Sequence, residues 1–263
     1  MQINLQCPVC KFGLAKKLNH GSNRIVGKNY SIYPNPDDNV IFVSCIKHNS
    51  VVYFENLKFD LLFESGLKAI KDYYYREAIA SVTASLERFY EYIIRYLLYE
   101  SVELTIYQDA WKEVSKLSER QLGAFSFLFL REFGIPPKIL SSDDASFRNN
   151  VIHKGYFPNE KETLSFTSKV ASIITDNFKS INGNKEKIEK FNNLLRNEFF
   201  TSAKAKITEI ELRPEYDSKS KIRVAKHPFP RKIPTFFGNL ESDLPKIEEL
   251  SKYIIEQTKH EVD

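Results

Sequence analysis

Apolar residues recur in two rhythms along the chain, and the change between them falls near residue 56. Before it, the runs Tyr30-Ser31-Ile32-Tyr33, Val40-Ile41-Phe42-Val43 and Val51-Val52-Tyr53-Phe54 are short and β-prone. The turn composition Pro34-Asn35-Pro36-Asp37-Asp38-Asn39 separates the first two, so this part predicts a small β module. Beyond Asn56 the spacing lengthens to three and four residues, the period of a buried helix face. Phe59, Leu62, Phe63, Leu67 and Ile70 form one stripe. Ile79, Val82, Leu86, Phe89, Ile93 and Tyr96 form a longer one, predicting a helix from Tyr74 or Tyr75 to about Tyr99, with Glu87, Arg88, Glu91 and Arg95 off the stripe.

Residues 109–133 predict one or two shorter helices, on Trp111, Val114 and Leu117 and on Leu122, Phe125, Leu128, Phe129 and Phe133. Gly134-Ile135-Pro136-Pro137 stops them, because proline lacks the donor and clashes with the preceding turn. A further helix begins near Ser142 or Asp143, good N-cap residues, and ends at Gly155. Another spans Glu160 to Asn177. After residue 183 the pattern predicts a helix from Glu186 to Phe200, a strand at Ile207 to Leu212, and a last helix from Asp243 to Gln257. Between these lies an extended run, Lys219 to Lys232, containing six basic residues and no acid. The fold class is therefore mainly α. A β module over 1–56 precedes a helical domain over 57–182, and an α+β C-terminal extension over 183–263 follows.

Composition bounds this picture without changing it. The chain has 263 residues, 42% hydrophobic and 27% charged, ordinary for a globular protein. Its net charge of +4 permits a nucleic-acid partner without demanding one. The most apolar window, Tyr90 to Tyr99, is broken by Glu91 and Arg95, so no membrane span is expected. The sequence starting Met1-Gln2-Ile3-Asn4 has no basic n-region or apolar core, so a cytoplasmic location is expected. No glycine-rich phosphate loop or nucleophile elbow is present.

All three cysteines fall at the edges of the β module, in Cys7-Pro8-Val9-Cys10 and Cys45-Ile46-Lys47-His48. A two-residue spacer lets a tight turn aim both side chains at one ion, and two such pairs supply the four ligands of a tetrahedral Zn²⁺. The arrangement resembles a zinc ribbon, which implies structural Zn²⁺ held by Cys7, Cys10, Cys45 and His48. The other reading is two buried thiols beside an unrelated exposed histidine.

In the helix from Ser142 to Gly155 stand Arg148, Asn149 and His153, an R-N-x-x-x-H pattern. This motif, near the end of its helix with amphipathic helices on either side, resembles the signature of the HEPN superfamily. The opening of the long helix, Tyr75 to Ile79 with Glu87 and Arg88, also looks like prokaryotic members. The resemblance covers residues 57–180 and implies an antiparallel helical bundle whose active members cut RNA without a metal. Histidine titrates near neutral pH and can move the protons, while arginine offers a permanently charged fork to phosphate oxygens. Asn149 can orient the imidazole or donate to phosphate, and Lys154 and Tyr156 are candidates for binding the RNA backbone.

Arg148 and His153 are five residues apart, about 140° around an ideal helix, so they do not lie side by side. HEPN nucleases meet this by dimerising. The resemblance therefore implies a homodimer in which both copies of Arg148 and His153 line one cleft, cleavage leaving a 2′,3′-cyclic phosphate. It also implies a role in phage defence or a toxin system, with an antitoxin or sensor protein as partner and no membrane. One HEPN toxin subgroup has a tyrosine two residues after the histidine; here position 155 is Gly and the tyrosine is Tyr156. Two other function classes stay open: a non-catalytic HEPN module binding nucleic acid or protein, and a zinc-ribbon regulator binding DNA. The basic run reads equally as a track for a nucleic-acid backbone or as a solvated loop.

Overall fold

The computed structural model describes residues 3–10, 29–32, 40–45, 48–211, 223–238 and 246–256. The chain divides into two compact units, Leu57–Phe191 with Pro234–Asp263 and Met1–Asn56 with Asn192–Ile233.

The first unit is helical. It contains α1 (Lys58–Lys71), α2 (Tyr75–Leu98), α3 (Leu104–Val114), α4 (Ser118–Phe133), α5 (Ser142–His153), α6 (Glu160–Ile181) and the start of α7 (Lys185–Glu211). A 3-10 turn, Ile247–Glu249, and α8 (Leu250–Glu256) complete it. The long helix α2 is its centre. Ile79, Val82, Leu86, Phe89, Ile93 and Tyr96, the stripe read from the pattern, are all buried, and α2 packs chiefly on α1 and also on α4, α5 and α6.

The α1–α2 contact is close because Gly66 faces α2. A Cβ there would lie 2.6 Å from Val82 Cγ2 and 3.3 Å from the Ala78 carbonyl oxygen. Gly66→Ala is therefore expected to destabilise the protein by about 1–2 kcal/mol, the overpacking outweighing alanine's higher helix propensity. Thermal denaturation measures this, and an unchanged or higher Tm would refute the tight approach.

Aromatic rings fill the space beside α1. Phe63 stacks on Phe236 at a centroid distance of 5.6 Å and meets Phe237 tilted at 4.6 Å, and Phe59 meets Phe89 at 5.4 Å. Glu64 lies buried among them. It accepts the backbone N–H of Phe236 at 3.2 Å and the Tyr253 hydroxyl at 3.1 Å. Burial pushes its carboxyl up to about 7 against those two donors, with Asp60 adding to the rise and Lys68 opposing it.

The second unit is built on strands. β1 (Ile3–Gln6) pairs antiparallel with β2 (Asn29–Ile32), and β3 (Val40–Ser44) with β4 (His48–Phe54). On the other side of β4, β5 (Arg223–Val224) and β6 (Phe229–Arg231) pair in parallel. Val51 and Tyr53 of β4 form a core with Ala203 and Ile207 of α7, flanked by Val40 and Phe199. Asn56 closes the sheet end, donating to the Ile233 carbonyl at 2.9 Å and accepting the Ile233 N–H at 2.7 Å.

Three expectations need correction or limits. Ile207–Glu211 is helix, not strand: Phe199, Ala203 and Ile207 repeat every fourth residue, a helix face that local alternation obscured. The stripe on Trp111, Val114 and Leu117 does not become core. No residue of α3 is buried, and Leu117, about half exposed, precedes α4 as its N-cap. The turn Pro34–Asn39, the basic residues Lys219 and Lys221 and the outer ends of the last helix, Asp243 and Gln257, lie outside the described residues.

Candidate functional site

Two clusters combine exposed or packed polar groups with chemistry of their own. The first begins where β1 ends. Cys7 follows the strand and Pro8–Cys10 form a helical turn, so Cys7 and Cys10, three apart, face the same way. Opposite them, the hairpin joining β3 to β4 closes with the Cys45 N–H donating to the His48 carbonyl at 2.8 Å, which sets those two residues across from each other. Cys10 Sγ lies 3.8 Å from Cys45 Sγ and 3.3 Å from His48 Nδ1, and Cys45 Sγ lies 3.6 Å from the same nitrogen. All four ligand atoms fall within 4.8 Å of one another, with Cys7 buried and the others half-buried.

Burial first, then the neighbouring Cys45 and Cys7, push the Cys10 thiol up to about 12. A bound cation reverses that logic, since a coordinating thiol is held as thiolate. Three sulfurs and one imidazole converging this closely form a group that could hold a metal ion, the only such group of three or more ligands among the described residues.

The second cluster is on α5. Its start is fixed by Ser141, whose Oγ accepts the Asp144 N–H at 3.1 Å and donates to Asp144 Oδ2 at 2.6 Å. Lys169 from α6 pairs with the same carboxylate. Burial raises the Asp144 carboxyl, but Lys169 and Ser141 together outweigh it and hold the group below its usual range. Val151, fully buried, pins the helix to the core. The other end is closed by Gly155 at φ 71°, a left-handed turn that lets the Lys154 and Tyr156 N–H groups both reach the Asn150 carbonyl.

Arg148 points half-buried toward α2. Its Nη1 donates to Asn149 Oδ1 at 3.0 Å, and Nη2 lies 3.9 Å from Glu87 Oε1. Its Nε is buried and has no hydrogen-bond partner among the described residues. His153, the last residue of α5, is exposed, and no hydrogen bond or ion pair links it to Arg148. The structure thus brings Arg148 and Asn149 together, while His153 stands exposed at the end of the same helix, unbonded to Arg148.

Lys154 is exposed. The Tyr156 hydroxyl donates to Glu162 Oε1 at 2.8 Å, and its ring sits edge-on to Phe147 at 6.3 Å. Glu87 is the member of this cluster that motif reading did not single out as a site residue. Its signal is a carboxylate off the apolar stripe of an otherwise buried helix.

No described helix is long and apolar enough to cross a membrane. Comparison of the chain with family models, with curated proteins and with solved structures finds no match. What stands is a mainly helical protein with an N-terminal cluster of three cysteines and one histidine able to hold a metal ion.

Proposed function

We propose that the chain is a metal-independent endoribonuclease of the HEPN type, with a structural zinc ion in its β module. The observation that carries this reading is the pairing of an oriented arginine with an open histidine on one short helix. Asn149 and Glu87 hold the Arg148 guanidinium, whose side chain stays partly exposed, so a phosphate oxygen meets a cation already oriented. His153 is accessible to RNA at the helix end.

In the proposed reaction one imidazole takes the proton of the 2′-hydroxyl as that oxygen attacks the adjacent phosphorus. The bond from phosphorus to the 5′-oxygen breaks, and the leaving oxygen takes a proton from a second imidazole. Products are a 2′,3′-cyclic phosphate and a 5′-hydroxyl. Arg148 balances the negative charge on the phosphorane. One chain supplies one His153, so the second comes from another copy. The solvent-facing Phe127, Leu130, Ile135, Ile139 and Phe157 of the helical unit are apolar surface that a second copy can cover. A defence or toxin role accords with such an activity held in check by a partner.

Arg148→Ala and His153→Ala are each expected to slow RNA cleavage about a hundredfold or more, the usual worth of a general acid–base group. The check is cleavage of single-stranded RNA with mapped ends, alongside circular dichroism to show an intact fold. If both variants cut like wild type, the site lies elsewhere; a strictly monomeric protein would count against the shared cleft. The Arg148–Glu87 contact also favours a second reading, a non-catalytic HEPN binding module, and wild type that binds RNA but never cuts it would establish that instead.

For the metal, three thiolates and one imidazole are a donor set that selects zinc over harder ions. Zn–S bonds of about 2.3 Å in a tetrahedron set sulfurs about 3.8 Å apart, close to the spacing of Cys10 and Cys45. With four protein ligands the site is closed, so the ion's role is structural.

A further inference from the structure

We infer that the β5–β6 edge of the strand unit is a binding surface for the sugar-phosphate backbone of single-stranded nucleic acid. The parallel pairing of β5 and β6 with β4 places the described part of the acid-free basic run, from Arg223 on, on the flank of the sheet that carries His48 of the Cys/His cluster. Arg223 stands in register with His48, and Arg231 with Phe54. Lys226, Arg231 and Lys232 are exposed, and none has an ion-pair partner among the described residues. Glu55, whose N–H donates to the Arg231 carbonyl at 3.0 Å, makes no ion pair with it.

Elsewhere the cations divide: Arg131, Lys154 and Lys161 are exposed and also without an ion-pair partner among the described residues, whereas others are paired. Lys112, Lys116, Lys179 and Lys190 each pair with an acid about one turn away on their own helix. What sets the edge apart is that three exposed cations, unpaired among the described residues, fall within one short acid-free segment, Lys226 to Lys232.

The chemistry narrows the occupant. No described strand pairs with the outer side of β5 or β6. Exposed Pro230 lacks a backbone donor, and a charged edge resists strand addition, so a β-strand partner is disfavoured. What remains is a polyanion. At about 3.3 Å per residue, Lys226 to Lys232 spans at most about 20 Å, a spread of three cations that suits a flexible backbone rather than a single small anion.

This inference does not rest on cleavage at Arg148 and His153, and its test is separate from that reading. Full-length protein is titrated into fluorescein-labelled single-stranded DNA, which lacks the 2′-hydroxyl and so cannot be cut by the proposed route. The same is done with the matching RNA on the His153→Ala background. Lys226→Glu/Arg231→Glu/Lys232→Glu is expected to weaken binding of both about tenfold or more near 0.15 M salt. It should also flatten the slope of log Kd against log salt by about 2, three phosphate contacts at about 0.7 each. The triple glutamine variant, milder on the fold, should show the same flattening, with metal content and far-ultraviolet dichroism unchanged. Wild type that binds neither probe, or a Kd and slope unmoved in both triple variants, overturns the inference. So does loss of binding to phosphatidylserine vesicles with nucleic-acid binding intact, which would assign the surface to anionic lipid.

Discussion

Cys7→Ser, or chelation at neutral pH, is expected to unfold the strand unit while most of the helical unit persists. Cys7 is the most buried of the four ligands, so no other thiol or water can replace it without opening the site. Apart from the Cys/His group, the described part of the unit has a modest core: Val51, Tyr53, Ala203 and Ile207 with partly buried Val40 and Phe199, and buried Val43, Val52 and Phe54 of the same hairpin. A structural zinc site contributes about 10–16 kcal/mol of apparent binding free energy near pH 7, and in a domain without a large core most of that is folding free energy. Loss of a contribution of that size is therefore expected to unfold the unit. Metal analysis should find about one zinc per chain in wild type and none in Cys7→Ser. Limited proteolysis should then cut within the strand unit, while helical dichroism falls only modestly. Protein that is purified without metal, or that resists protease equally with and without chelator, would disprove the structural ion.

The second large effect is expected at Glu64, and it depends on pH. Its folded-state carboxyl is raised to about 7, so between about pH 4.5 and 7 the native protein binds more protons than the unfolded chain. Stability from this group is fully present below the unfolded value and is lost as pH rises through the folded one. Glu64→Gln removes the titration but keeps an oxygen able to accept from the Phe236 N–H and the Tyr253 hydroxyl. At pH 8 the variant should thus be more stable than wild type by about 3 kcal/mol, the worth of a shift of this size, and the two should converge by about pH 4.5. Urea denaturation at both pH values measures it. Equal gains at both would mean that packing, not ionisation, separates the two proteins. The segment that should loosen first in wild type at high pH is the one Glu64 holds, Phe236 and Tyr253 against α1.

The helical stripes were legible because a buried helix face repeats every three to four residues, whatever it packs against. Ile79 to Tyr96 shows this, and so does the start of α5, where Ser141 and Asp144 make a local cap. The strand expected at Ile207 failed for the converse reason: six residues of alternation carry less information than the four-residue repeat Phe199–Ala203–Ile207 running into it. Trp111 failed differently, since periodicity says which residues share a face and not whether that face finds a neighbour.

The candidate sites divide along the same line. Cys7, Cys10, Cys45 and His48 were readable as a set because two-residue spacers bring ligands together locally. Arg148, Asn149 and His153 were readable as letters and as angles around one helix. Glu87, which meets Arg148 from α2, was not, because that contact joins residues far apart in sequence.

By itself, then, the sequence determined the mainly helical class, the long central helix and the set of three cysteines and one histidine that could hold a metal ion. These depend on backbone period and short-range spacing. Only the tertiary structure decided that β5 and β6 lie beside β4, that Glu64 is buried under Phe236 and Tyr253, and that Glu87 faces Arg148. Each of these rests on pairing or burial between distant segments, for which local pattern carries no signal.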